Sequence, residues 1–147
     1  MTYRRALFGI LVLMSGIFVQ AFAVPAWAQG SPPVALKGND PVSYFNPGKP
    51  AKGASKISYD FDQTRYLFSS AKNKELFAAN PDRYTPQFSG LCTTGLTMGA
   101  KAEADPNIFM VRDGKLYVFS SVEAKQMVEK DPTLLKKAHD AWKQPKK

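Results

Sequence analysis

The sequence predicts a small α+β domain of two pseudo-symmetric β-hairpin–helix units with a glycine-rich connector between them. Three observations carry this. Residues 57–70 align without a gap with residues 108–121, and the offset of 51 continues as far as Pro81 and Pro132. Asp62-Gln63 and Asp113-Gly114 stand at matching places, and Asp-Gly is a strong signal for a two-residue hairpin turn. Tyr66/Phe68 and Tyr117/Phe119 alternate as the buried face of a strand does, just before Ser69-Ser70 and Ser120-Ser121.

Eight of the 28 positions aligned over 57–84 are identical, and they include the turn aspartates, the strand aromatics and both serine pairs. Each unit therefore reads as strand, turn, strand, capped helix. A serine hydroxyl caps the helix, and Glu123, three residues after Ser120, is expected to complete a capping box in the second unit. A two-stranded hairpin is marginal in water by itself, so the two units are expected to share one core.

The first 28 residues read as a signal peptide. Arg4 and Arg5 make a positive start, 6–24 is an apolar run, and Ala26-Trp27-Ala28 is a small-x-small cleavage site that places the cut between Ala28 and Gln29. An uncleaved membrane anchor is the alternative, since the run approaches the roughly 20 residues of a span. Either way the expected location is the periplasm, with any membrane association coming through the leader. The export route stays open. Residues 29–33 form a Gly/Ser/Pro linker, and the domain is 34–147.

Within it, 34–37 reads as a short strand or extended lead-in, and Asp40-Pro41 starts a helical turn with Asp40 as N-cap. Residues 46–55 are a surface loop. The first helix offers Leu76 and Phe77 to the core. The connector at 89–99 carries Gly90, Gly95 and Gly99 and no charge, which suits burial and close backbone approach. Asp131-Pro132 opens a final helix with Leu134, Leu135, Ala138 and Trp142 inward.

The formal charge is +8, and loss of the two leader arginines makes it +6. No arginine–aromatic interleaving accompanies the excess, so a solvated helix face is expected rather than a nucleic-acid site. Cys92 is the sole cysteine, so no internal disulfide can form in an oxidising compartment. It is a packed thiol, a reactive thiol, a metal ligand, or half of an intermolecular bridge. A reactive thiol works as its thiolate, which a helix N-terminus or nearby cation must favour. Met98 could join Cys92 around a soft metal such as copper, and Met110 is a further candidate, although methionine more often fills cores. His139, flanked by lysines on the final helix, is expected at the surface.

Asp40-Pro41-Val42, the strand ending in Phe68-Ser69-Ser70, and the run from Leu76 to Tyr84 resemble the YHS domain family. The resemblance is closest to its exported branch, in which a tyrosine-proline-glutamine and Gly-x-Cys segment follows the helix, here Tyr84, Pro86, Gln87, Gly90 and Cys92. It covers most of the domain and implies a YHS/TRASH-like fold. In that branch the position of Cys92 is sometimes selenocysteine, which implies electron or metal chemistry there. Related domains on heavy-metal transporters bind metal through cysteines at the positions of Ser43, Ser69 and Asn73, none of which is a soft ligand here. Copper or zinc is thus the cofactor class to test, and neither is firmly implied. The expected function is thiol redox exchange or soft-metal handling at Cys92, with an unidentified protein or metal-ion partner. The alternative is a non-catalytic binding domain in which Cys92 packs. No acid–base partner for Cys92 can be named, so an enzyme in the ordinary sense is the least supported class.

Overall fold

Two antiparallel hairpins, each followed by a helix, make up the framework. The structure, a computed structural model, describes residues 30–144. The expected leader and its cleavage site lie outside the described residues. None of the described helices is long and apolar enough to cross a membrane.

Strand β1 (Ala54–Phe61) pairs with β2 (Thr64–Phe68), and helix α1 (Ala71–Ala79) follows. The short α2 (Pro81–Tyr84) and α3 (Thr93–Thr97) lead to β3 (Asp105–Arg112) and β4 (Lys115–Phe119). Helices α4 (Val122–Lys130) and α5 (Thr133–Lys143) close the chain. Asp62 and Gln63 have φ of 46° and 58°, and Asp113 and Gly114 have 52° and 71°. Two successive positive φ values give the primed turn whose twist matches the flanking strands. Both hairpins break register at the same place, between Ala54 and Ser58 in one and between Asp105 and Phe109 in the other.

The helix caps differ from expectation by one residue. Ser70 accepts from the Asn73 amide and Ser121 from the Ala124 amide, each at 3.1 Å. Ser121, not Ser120, is therefore the N-cap. That shifts Glu123 out of the N3 position, and no capping box forms. Ser69 and Ser120 are left free for other partners. Residues 34–37 also depart from the expected strand. Only Val34 forms a bridge, parallel to Arg65, and the chain then turns through Leu36, Lys37 and Gly38 at φ 51°, 50° and 84°. The same left-handed turn recurs at Phe88, Ser89 and Gly90, with φ of 58°, 54° and 77°.

Instead of one shared core there are two neighbouring clusters. In one, Phe77, with no solvent exposure, sits among the rings of Tyr59, Phe61, Tyr66, Phe68 and Tyr84. The other gathers Leu116, Val118, Phe119, Val128, Leu135 and Ala138 with Phe88, Cys92 and Leu96. Each helix covers its own hairpin, so each aromatic face is buried locally. Tyr44, two residues after Val42 of the first cluster, belongs to the second. It leaves the turn 41–44 and packs edge-on against Phe109 at 4.9 Å, with its hydroxyl donating to the Pro106 carbonyl at 2.9 Å. Burial pushes the Tyr44 hydroxyl up to about 12. Leu76, expected inside, is exposed, because α1 turns Phe77 inward and adjacent residues lie about 100° apart around a helix.

Candidate functional site at the strand-to-helix junctions

Cys92 stands immediately before α3 and is 1 % exposed. Its backbone is held on both sides: the amide donates to the Ala102 carbonyl at 2.9 Å, and a parallel bridge ties it to Val118. The threonines after it anchor the helix, Thr93 Oγ1 donating to the Val118 carbonyl at 3.2 Å and Thr94 Oγ1 to that of Ala124 at 2.6 Å. The backbone approaches closely at Gly95, where a Cβ would stand 3.1 Å from the Ala100 oxygen and 3.3 Å from Ala102 Cβ. The uncharged, small-residue connector is buried from Cys92 to Leu96, while Ser89, Met98 and Gly99 at its ends are exposed.

The Cys92 sulfur accepts the Ser120 backbone N–H at 3.3 Å, and the thiol can donate to Ser120 Oγ at the same distance. The expectation that a helix start would supply the amide is half met. Cys92 does precede α3, but the sulfur accepts nothing from that helix, and its amide partner comes from the end of β4. Ser120 itself is exposed, so the thiol lies one side chain below solvent.

Ser69, which aligns with Ser120, makes the same approach to a different group. Its N–H and its hydroxyl both donate to Asp40 Oδ2, at 2.8 and 2.6 Å. Asn73 Nδ2 adds a third donor at 2.7 Å, and the Val42 amide donates to Oδ1 at 2.9 Å. Asp40 is fully buried with no cation paired to it among the described residues, and every partner of its carboxylate is a donor, which suits a group with about four acceptor sites. Ser43 completes the cluster by donating to the Asp40 carbonyl at 2.7 Å. Of the positions matched to metal-binding cysteines, Ser69 and Asn73 therefore do converge on a carboxylate, while Ser43 bonds the Asp40 main-chain carbonyl. Asp40 was legible only as a cap.

The other sequence candidates lie elsewhere. Met98 ends α3 and is 70 % exposed, whereas Cys92 precedes that helix and is buried. The offset of six residues corresponds to roughly 9 Å along a helix axis. Met110 belongs to the edge of the second cluster. His139 is half-buried rather than on the surface: Nε2 lies 3.1 Å from the Tyr117 hydroxyl and the ring 4.9 Å from that of Phe88. Burial first, then Lys115 and Lys143, lower its pKa. Among the described residues no three of His, Cys, Asp and Glu gather as a metal site would require. The donors beside the Cys92 sulfur, one amide and one hydroxyl, do not suit a soft metal.

No family model matches the chain, and no curated protein or solved structure is similar to it.

Proposed function

We propose that this is an exported, YHS-like domain of duplicated build, working in the periplasm by thiol exchange at Cys92. One observation carries the reading. Ser120 turns its N–H and hydroxyl to the Cys92 sulfur just as Ser69 turns its own to the Asp40 carboxylate. A junction that serves an anion in one unit can serve a thiolate in the other, with the Ser120 hydroxyl rotating from acceptor to donor. The thiolate would attack a disulfide of the partner protein, forming a mixed disulfide and releasing a thiolate that takes up a proton. A second thiol from outside the chain would resolve it, since Cys92 has no internal partner.

Duplication is supported by the element boundaries. β1, β2 and α1 recur as β3, β4 and α4 with every limit 51 residues on. The left-handed turns at 36–38 and 88–90 recur at an offset of 52, as do Asp40 and Cys92.

The 1 % exposure of Cys92 favours a second reading, a binding domain in which the thiol packs. Its site would be the apolar cleft of about 300 Å³ lined by Val34, Leu36, Leu91, Ala104 and Pro106. Iodoacetamide labelling of the folded protein separates the two. Exchange requires labelling well ahead of global unfolding and faster at higher pH, whereas packing blocks it until denaturation.

A further inference from the structure

A second cleft, of about 250 Å³, opens on the other side of the Phe88 turn and is not bordered by Cys92. Phe61, Tyr66, Phe88 and Trp142 line it together with the carboxylate residues Asp62 and Asp82. In a chain of net charge +8, no lysine or arginine among the described residues lines it. The Tyr66 ring is buried, while its hydroxyl, which makes no hydrogen bond to the described residues, is open to solvent at the cleft. Burial first, and then the Asp62 charge, push that hydroxyl up to about 12, so the carboxylate acts on the same space. Neither carboxylate is engaged in an ion pair among the described residues.

The ring positions are built in. Phe88 is 4 % exposed in the core cluster, so its ring borders the cleft by an edge and is held from behind. Its ring meets Trp142 at 5.9 Å and 60°, and His139 backs it at 4.9 Å. Aromatic faces attract cations, and carboxylates with no cation partner add to that attraction.

We propose that this cleft binds a small organic ammonium ion, primary or quaternary, between the Asp62 and Asp82 carboxylates and the Phe88 and Trp142 rings, with the Tyr66 hydroxyl as a further acceptor. An inorganic cation has no use for the rings, and a neutral ligand has none for two carboxylates.

Isothermal titration calorimetry of the full chain tests this with choline chloride, n-butylammonium chloride, the neutral choline isostere 3,3-dimethylbutan-1-ol, and calcium chloride. Both ammonium ions should bind, and the neutral alcohol should bind at least about tenfold more weakly, within the range of a desolvated cation–π contact. The double variant Asp62→Asn/Asp82→Asn should lose about tenfold in ammonium affinity, and Trp142→Ala should weaken it as well. All three are exposed side chains, so the variants should fold. Equal affinity for the alcohol, unchanged affinity in the double variant, binding of calcium alone, or no ammonium binding up to about 10 mM would each overturn the proposal.

Discussion

The Ser120 amide reaches the Cys92 sulfur at 3.3 Å, and the Ser120 hydroxyl stands equally close on the solvent side. That serine both satisfies the thiol and shields it. Removing its side chain should therefore change access without disturbing the fold. In Ser120→Gly, iodoacetamide labelling of the folded protein at fixed pH should be faster by about tenfold, equivalent to roughly 1.4 kcal/mol of barrier. An unchanged rate, equal to that of global unfolding, would mean that Ser120 is no gate, and the exchange reading would fall.

Asp40 makes the strongest demand in the first unit. Its buried carboxylate accepts from Val42, twice from Ser69, and from Asn73. Asp40→Asn keeps the shape but turns an NH₂ group toward one set of donors. Leaving buried donors unsatisfied should destabilise the domain by about 2–3 kcal/mol, while Ser69→Ala, which removes one hydroxyl, should cost about 1 kcal/mol. Urea unfolding measures both, and equal losses would contradict the assignment of Asp40 as the centre of the cluster.

Legibility followed the range of the interactions. Turn pairs, alternating aromatics and the serine junctions are local, and residues 57–70 and 108–121 stated them in matching order. The repeat beyond them was hidden. The turns at 36–38 and 88–90 share only a glycine in sequence, and positive φ at Leu36, Lys37, Phe88 and Ser89 has no signature in side chains that normally avoid it. One residue fewer between Cys92 and Ala102 than between Asp40 and Ala51 also shifts the offset from 52 to 51, which an ungapped comparison cannot follow. The pairing of Cys92 with Ser120 spans 28 residues, and that of Asp40 with Ser69 spans 29. Once the offset of 52 is allowed, aligning Asp40 with Cys92 would have pointed to both.

Gly53 is fixed by space rather than by backbone angle. A Cβ there would meet the Leu67 carbonyl carbon at 2.5 Å and its oxygen at 2.6 Å, and backbone cannot step aside as a side chain tip can. The aligned position in the second unit holds Ala104, so this closeness belongs to the first hairpin. Gly53→Ala should cost about 2–3 kcal/mol by overpacking. Gly48, at φ +87° in open space, isolates the conformational term, and Gly48→Ala should cost about 1 kcal/mol. Comparable unfolding midpoints for the two variants would contradict the clash.

His139 is the sole histidine, and burial, reinforced by Lys115 and Lys143, holds its pKa below the ordinary 6.5. When the ring is neutral with its proton on Nδ1, the Tyr117 hydroxyl donates to Nε2 across 3.1 Å. Between the folded and unfolded pKa values the unfolded chain binds more protons, so stability there rises with pH. The contribution is complete above about 6.5 and is lost as the pH falls from there through the folded value. The carboxylates with lowered pKa, Asp60, Glu123, Asp131 and Asp140, begin from ordinary values of 3.8 to 4.5 and titrate below this window. His139→Gln should therefore flatten the slope of unfolding free energy just below pH 6.5 while leaving the acid limb in place. A slope that survives the substitution would show that another group titrates there.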